Sequence, residues 1–344
     1  MIISSKFHKI FLLVTACLVG YIFGYLQFGQ NGLFTKPIWE ITEIRSKENA
    51  VYTNPLIECE QYSTSMTPNV SIIERNVNDY VNNSKAGKNI DEIAVYFRDL
   101  DKGKWFGINE NIEFAPASLV KIPVVVNYVK ESENDPAVLS KKLTLNENLE
   151  LDLAEQNGYQ YYKPEKKIEI GKEYTVEELI TYSLEYSDNN AHALLVTSKD
   201  FDEFTQTIKD LDLYGSVQKP YDTISVKDYS SIFRILYNAT YLSQKNSEWV
   251  LSILAQGRFD KGLRKGVPQD VPVANKFGEK GYIYENPDPN KFSTTPMLQL
   301  HDCGIIYDPD NPYLLCIMTH GSDYSAQEKV IQNISKIVYE GLNE

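Results

Sequence analysis

Cysteine and histidine are scarce in this chain, with four of each among 344 residues. The histidines are scattered, and no cluster of cysteine and histidine has the spacing of zinc ligands. The sequence therefore predicts no metal centre, and no cofactor is implied. Positive charge is also in deficit, since the formal net charge is −13 and the pI about 4.9. Such a chain would repel phosphates, which argues against nucleic acid as a partner.

Charge is absent altogether from residues 10–35 near the N-terminus. Their most apolar part, residues 10–28, is long enough to cross a bilayer as a helix, and Lys6, His8 and Lys9 precede it. The positive-inside rule then predicts a cytoplasmic N-terminus and an extracytoplasmic remainder. A cleaved signal peptide is the alternative, but no clear small-residue cleavage site closes the run. We therefore predict a cytoplasmic tail (1–9), a transmembrane anchor (10–34), a stalk (35–68) and one domain (69–344).

The cysteines leave their pairing open. Cys303 and Cys316 flank a predicted hairpin whose turn is at residues 308–311. A four-residue loop would place them opposite each other, where they could bridge, whereas a five-residue loop would place them on opposite faces. Cys17 falls in the predicted anchor and Cys59 has no obvious partner.

Local patterns predict a mixture of helices and strands after residue 70. Thr175 and Glu178 form a capping box at the start of one helix, and Thr223 is predicted to cap another. Residues 279–299 are predicted to form a long loop. The remaining elements are a hairpin (93–108), an apolar helix (122–129), a strand approach (271–278), a second hairpin (304–318) and a terminal helix (326–342).

A proline and small residues at 115–117 lead into the apolar helix, and Ser118 and Lys121 stand at its start. Residues three apart on a helix share a face, so the two side chains meet. A serine needs a base to become a nucleophile, and a lysine can serve if burial or nearby positive charge lowers its pKa. The alternative is an ordinary surface lysine, because about one such match is expected by chance in a chain this long.

Two further motifs follow in order. Ser187, Asp188 and Asn189 occupy a break between two predicted helices, where polar side chains would enter any adjoining cleft. They are also common capping residues, which is the structural alternative. Lys276 then heads the sequence Lys-Phe-Gly in the predicted strand approach.

The ordered motifs S-x-x-K, S-D-N and K-x-G resemble the signature of the class A β-lactamase family. The resemblance covers residues 70–342 and includes His301 and the hairpin after it. It implies an α+β fold of the β-lactamase/transpeptidase type. Such a fold has an antiparallel sheet, flanking helices and a mostly helical subdomain.

The resemblance also implies roles for residues. Ser118 would form an acyl-enzyme, Lys121 would take or relay its proton, and Ser187 would pass a proton to the leaving nitrogen. Substrate binding would fall to a second set, in which Asn189 bonds the side-chain amide, Lys276 pairs with the carboxylate, and the backbone N–H groups of Ser118 and Glu279 form the oxyanion hole. That substrate-binding set is Asn189, Lys276, Phe277, Gly278 and Glu279.

Two departures from the family are evident. Phe277 stands where the family has a threonine or serine, whose hydroxyl helps to hold the substrate carboxylate. The family's deacylating glutamate, in an E-x-x-N loop, has no counterpart, because the segment 211–222 is short. Asp222 is the nearest acid, and Glu203 is predicted to be solvated on a helix.

The leading hypothesis is therefore a membrane-anchored, extracytoplasmic, monomeric serine hydrolase that acts on β-lactams. Slow deacylation would follow from the missing glutamate. The alternatives are a penicillin-binding D,D-peptidase that acts on an acyl-D-alanyl peptide of the cell wall, and a degenerate, non-catalytic binding domain.

Overall fold

The structure is a computed structural model that describes residues 40–46, 50–62, 70–85, 89–149, 160–213, 223–283 and 296–344. The chain divides into two compact units. The larger unit comprises Ile41–Glu60 and Met66–Glu344 and contains the main sheet and the helices. The smaller comprises Met1–Glu40 and Gln61–Ser65, of which residues 40, 61 and 62 are described.

An antiparallel sheet of five strands forms the centre of the larger unit. Across the sheet, the strands are in the order Trp105–Ile108 (β4), Ile90–Asp99 (β3), Tyr313–Gly321 (β11), Pro296–Ile306 (β10) and Val273–Ile283 (β9). Strand β9 lies at one edge, and β11 is buried along nearly its whole length because both faces of the sheet are covered. The strands of the described residues are β1 (Glu40–Arg45), β2 (Leu56–Tyr62), β3 (Ile90–Asp99), β4 (Trp105–Ile108), β5 (Glu113–Phe114), β6 (Lys142–Thr144), β7 (Glu173–Thr175), β8 (Ile224–Ser225), β9 (Val273–Ile283), β10 (Pro296–Ile306) and β11 (Tyr313–Gly321).

Helices pack on both faces of the sheet and form most of the segment between β5 and β9. They are α1 (Val70–Lys85), α2 (Lys121–Ser132), α3 (Ala137–Ser140), α4 (Val176–Glu185), α5 (Asn189–Thr197), α6 (Phe201–Asp210), α7 (Val226–Tyr237), α8 (Gln244–Ala255) and α9 (Tyr324–Asn343), with 3-10 turns at Ala117–Val120 and Leu263–Gly266.

Two apolar clusters hold these layers together. On one face, α9 presents Val330, Ile331, Ile334 and Val338 at helical spacing, and they pack with α1 against the sheet. The other cluster joins the opposite face to α2 and the helical segment. Leu119 and Ile122, in and just after the S-x-x-K motif, belong to this second cluster, whereas Phe277 of the K-x-G motif belongs to the first.

Most sequence-predicted elements are confirmed, including the antiparallel sheet, the terminal helix and the capping box of Thr175 and Glu178. The predicted cap at Thr223 is wrong. Ser225 is the N-cap of α7, while the Thr223 hydroxyl donates to the carboxylate of Glu113 at 2.6 Å.

The predicted loop over residues 279–299 is also wrong at both ends. Strand β9 continues to Ile283 and β10 begins at Pro296, and the two pair directly in this region. Lys280 and Gly281, at the end of β9, and Pro296, at the start of β10, are not typical strand residues, and the pairing of β9 with β10 includes them all the same.

The predicted stalk docks on the domain over part of its length. The backbone N–H groups of Val51, Tyr52 and Thr53 donate to the carboxylate of Glu248 at 2.7–3.0 Å. Arg45 donates to the amide oxygen of Asn238 and lies over an aromatic ring of α7. These residues therefore belong to the folded domain rather than to a free linker.

The predicted anchor over residues 10–34 lies outside the described residues. Among the helices that the structure does describe, none has the length and apolar character needed to cross a bilayer.

Cys303 and Cys316 form a disulfide. They are directly paired across β10 and β11, which are separated by residues 307–312. The connection of six residues, like the predicted four-residue loop, has an even number of residues and places the two cysteines opposite each other. Cys303 is also the cross-strand neighbour of Lys276, so the disulfide lies beside the third motif.

Candidate active site

The nucleophile turn, Ala117–Val120, runs directly into α2 at Lys121. The backbone N–H of Lys121 donates to the Ser118 carbonyl, so the two residues occupy one continuous helical turn, as predicted. Ala117 has φ +50°, a left-handed conformation that costs a non-glycine residue about 1–2 kcal/mol. The turn therefore persists only because its surroundings hold it.

Lys121 is almost fully buried and points into the second motif. Its Nζ donates to the Ser187 carbonyl at 2.7 Å, to Ser187 Oγ at 3.1 Å and to Asn189 Oδ1 at 2.7 Å. The S-x-x-K and S-D-N motifs thus form one hydrogen-bonded network.

Ser187 is presented by a sharp turn between α4 and α5. Its φ of +58° ends α4, and Asp188 then caps α5 by accepting the Asn190 N–H at 3.0 Å. The other carboxylate oxygen of Asp188 accepts the Ile168 N–H at 2.6 Å. Burial raises the pKa of Asp188, although these hydrogen bonds oppose the shift. The capping interpretation of this motif is therefore confirmed for Asp188, whereas the catalytic and binding roles of Ser187 and Asn189 stay predictions.

Lys276 approaches the same hydroxyl from β9. Its Nζ donates to Ser187 Oγ at 2.9 Å and to the Phe277 carbonyl at 2.8 Å. Burial, together with repulsion by Lys121, holds the pKa of Lys276 well below its usual value. The role of Lys276 as a partner of the substrate carboxylate remains a prediction.

Phe277 belongs to an aromatic cluster rather than to the wall of the site. Its ring stacks on Phe259 at 4.1 Å and meets Tyr162 edge-on at 4.7 Å between centroids. The Nζ of Lys276 lies 4.2 Å from the same ring. The position that bears a hydroxyl in the related family thus contributes packing and a cation–π contact.

Gly278 and Glu279, neighbours on β9, contact different parts of the site. A Cβ on Gly278 would lie 3.0 Å from the Pro116 carbonyl oxygen, so glycine allows β9 to approach the nucleophile turn. The Glu279 carboxylate accepts the backbone N–H groups of Tyr161 and Tyr162 at 3.0–3.1 Å. Segment 160–168 is thereby tied both to β9 and to the Asp188 turn.

A cavity of about 300 Å³ opens over these residues. Among the predicted residues, Ser118, Lys121, Asn189 and Glu279 line it. Ser187 and Lys276 are not lining residues, but Ser187 is hydrogen-bonded to Lys121, and Lys276 to Ser187. The other lining residues are Ala117, Val120, Leu149, His192, Ala193 and Lys280. Both residues predicted to supply oxyanion-hole N–H groups are therefore at the cavity.

His192 is a cavity residue that the sequence reasoning missed. It lies three positions after Asn189 on α5, and this spacing is the signal that points to it. Burial, with repulsion by Lys121 and Lys276, lowers its pKa to about 3, so the imidazole is neutral at neutral pH. Its buried Nδ1 has no hydrogen-bond partner among the described residues.

A deacylating carboxylate would have to lie at the cavity, beside the acyl ester. Glu203 is exposed on α6, as predicted, and it does not line the cavity. Asp222 lies outside the described residues. Glu279 is the carboxylate among the described lining residues, and the N–H groups of Tyr161 and Tyr162 already engage it.

A serine at a helix start, a buried lysine and a second serine define the class of active-serine hydrolases. The chain belongs to the beta-lactamase enzyme family, whose model matches residues 73–342. The resemblance seen in the sequence is thereby confirmed.

Solved structures agree on the fold. PBP-A is 18% identical and has a TM-score of 0.63, with 80% of this chain and 97% of that chain covered. A mutant of PBP-A with similar statistics (18% identity, TM-score 0.62, 80% and 97% covered) was solved as an acyl-enzyme complex with penicillin-G. The class A β-lactamase of Mycobacterium abscessus is also 18% identical, with a TM-score of 0.61 and coverage of 78% and 100%. These likenesses establish the β-lactamase/transpeptidase-like fold.

Proposed function

We propose that this protein hydrolyses β-lactams through an acyl-enzyme on Ser118. The observation that carries the proposal is the convergence of Lys121 and Lys276 on the Ser187 hydroxyl, beside a cavity that Ser118 lines. Such an arrangement can remove a proton from one hydroxyl and deliver it elsewhere without a metal ion. Family membership favours β-lactam chemistry over the peptidase and the non-catalytic alternatives.

In the first half-reaction, Ser118 Oγ attacks the lactam carbonyl while its proton passes to Lys121. The carbonyl oxygen becomes an oxyanion, which the N–H groups of Ser118 and Glu279 stabilise. The C–N bond of the ring then breaks, and Ser187 donates a proton to the leaving nitrogen. Ser187 recovers a proton from the lysines that donate to it.

In the second half-reaction, water adds to the acyl ester and the C–O bond to Ser118 breaks. The OH of the water completes the product acid, and its remaining proton ends on Ser118 Oγ. The family carries out this step with a glutamate, which is missing from the sequence. We infer that deacylation is slow relative to acylation. The absence of a hydroxyl at Phe277 also predicts weaker binding of the β-lactam carboxylate.

We also propose that the domain works outside the cytoplasmic membrane as an anchored monomer. The support is the uncharged stretch at residues 10–28 and the basic residues before it. Fractionation of cells, followed by protease treatment of intact spheroplasts, tests this arrangement. Protein that stays soluble after lysis, or that resists protease until lysis, would contradict it.

The direct test is intact-mass analysis of the detergent-solubilised full chain after exposure to a penicillin. Ser118→Ala is run alongside, and substrate loss is followed by absorbance. A covalent adduct on wild type, with slow turnover, is expected, and the variant should show neither. Penicillin loss that is unchanged in Ser118→Ala would overturn the proposal, as would the absence of both adduct and turnover in wild type.

A further inference from the structure

Both backbone polar groups of Ala115 are held by side chains of β10. The Ala115 N–H donates to Gln299 Oε1 at 3.0 Å, and the Ala115 carbonyl accepts from His301 Nε2, also at 3.0 Å. Ala115 precedes Ser118 by three residues, immediately before the nucleophile turn. The two side chains thus fix one whole peptide residue at the entrance to that turn.

The hydrogen bonds of His301 define its tautomer. The Thr319 N–H donates to Nδ1 at 3.3 Å, so Nδ1 carries the lone pair and Nε2 carries the hydrogen. The ring is fully buried and meets the Phe114 ring edge-on at 5.5 Å between centroids. Burial lowers the pKa of His301 to about 4, so the imidazole stays a neutral donor to Ala115.

The geometry of the sheet lets these side chains reach the turn. In the pairing of β9 and β10, His301 lies opposite Gly278 and Gln299 lies opposite Lys280. Because Gly278 has no side chain, the Pro116 carbonyl oxygen and the Leu119 backbone nitrogen come within 3.0 and 3.3 Å of where its Cβ would be. The strand edge therefore accommodates the turn while β10 supplies the hydrogen bonds.

The opposite end of the turn is anchored independently. Tyr229 on α7 donates its hydroxyl hydrogen to the Leu119 carbonyl at 3.0 Å. The left-handed Ala117 lies between this anchor and Ala115. A strained residue persists when contacts on both sides determine the backbone path, and these are such contacts.

We propose that Gln299 and His301 are positioning residues for the acylation of Ser118, an inference that rests on the proposed function. By holding Ala115 they maintain the left-handed turn, which sets the direction of Ser118 Oγ and of its backbone N–H. Neither residue lines the cavity, so they act through the turn and not on the substrate. Removing either partner deprives a partly buried backbone group of Ala115 of its hydrogen bond, which favours a different turn geometry.

The test compares acylation rates of four full-chain variants with wild type, using a chromogenic β-lactam and thermal unfolding. His301→Leu and Gln299→Met remove one hydrogen bond each, and His301→Gln keeps a donor. The matched control is Gln327→Met. Gln327 is a buried side chain that bonds Thr319 and Leu298 in the same sheet but does not bond the turn.

We expect His301→Leu and Gln299→Met to acylate about tenfold to a hundredfold more slowly, since small misplacements of a nucleophile have effects of this size. His301→Gln should recover most of the rate. Gln327→Met should lower the unfolding temperature without changing acylation. Wild-type acylation rates in both His301→Leu and Gln299→Met, or an equal loss of acylation rate in Gln327→Met, would overturn the proposal.

Hydrogen–deuterium exchange of the peptide covering residues 114–121 gives a second readout that needs no substrate. Faster exchange is expected in His301→Leu and Gln299→Met than in wild type or Gln327→Met. Unchanged exchange would reject the positioning role even if the enzyme is active. A wild-type protein that no β-lactam acylates would reject the proposed function alone, and exchange would still decide the positioning role.

Discussion

The amine of Lys276 donates to the hydroxyl oxygen of Ser187 at 2.9 Å, and Lys276 is only 1% exposed. Lys121 donates to the same oxygen from the other side. Two ammonium groups that share one acceptor repel each other, and burial penalises both charges. The network therefore favours states in which at least one of the two amines is neutral.

Replacing Lys276 by methionine should slow acylation by about a hundredfold, because Ser187 loses a donor that restores its proton. The rate is measured with a chromogenic β-lactam under single-turnover conditions. Lys199→Met is the control, since Lys199 is a largely buried lysine outside the site that pairs with Glu131. An equal effect of both substitutions would mean that the loss reflects folding and not proton transfer.

Phe277→Thr should strengthen the binding of β-lactams that carry a carboxylate, by several-fold in Kd or KM, because it restores a hydroxyl. It should also cost roughly 3 kcal/mol of unfolding free energy, since a buried stacked ring is lost. Phe259→Leu disturbs the same stack without adding a hydroxyl and should affect stability alone. No gain in binding for Phe277→Thr would show that this position does not face the substrate carboxylate.

Gly278→Ala should reduce acylation by at least about tenfold with a small change in stability. The new Cβ would press on the Pro116 carbonyl and on Leu119 at 3.0–3.3 Å and shift the nucleophile turn. Gly257→Ala is the control, because its new Cβ would lie 3.1 Å from the Leu254 carbonyl oxygen, which is not part of the turn. Full activity in Gly278→Ala would indicate that the turn tolerates displacement.

The raised pKa of Asp302 predicts that the stability of the fold falls as the pH rises through 6. Burial, opposed by hydrogen bonds from Asn275 and Leu263, raises the pKa of this carboxyl from 3.8 to about 6. Between pH 3.8 and about pH 6, the folded state therefore binds more protons than the unfolded chain. The stability contributed by the neutral acid is fully present below about pH 4 and is lost as the pH rises through 6.

Asp302→Asn, which mimics the neutral acid, tests this pH dependence by urea unfolding between pH 4 and 7.5. The stability advantage of wild type over the variant should fall across that range by on the order of 2–3 kcal/mol. Asp310→Asn, at an exposed position, controls for the loss of a carboxylate. An advantage that grows with pH would mean that the charged form is the favoured one in the fold.

Removing the disulfide with Cys303→Ala and Cys316→Ala together should lower the unfolding free energy by about 3 kcal/mol, from the entropy of closing a loop of 13 residues. Urea unfolding measures the change, and wild type treated with reductant during unfolding should approach the variant. An identical urea midpoint for variant and oxidised wild type would argue against the bond.

Local sequence signals predicted where the residues of the first two motifs lie in the fold. Ser118 and Lys121 are placed by helix geometry, and the capping box at Thr175 starts the helix that leads to Ser187, so neither needs distant information. The contacts that sequence analysis missed join distant segments. Glu279 is 117 and 118 residues from the N–H groups it accepts, and Glu248 is nearly 200 from the predicted stalk. No pattern within a short window reports such pairs.

The packing of Phe277 also bears on how this protein can evolve. Its ring anchors Tyr162, and the neighbouring N–H groups of Tyr161 and Tyr162 bind Glu279, so one side chain links segment 160–168 to the edge strand. A variant with a hydroxyl at this position would lose that anchor in the same step. Selection for tighter substrate binding would therefore have to alter positions 162 and 277 together, which makes the aromatic residue hard to replace.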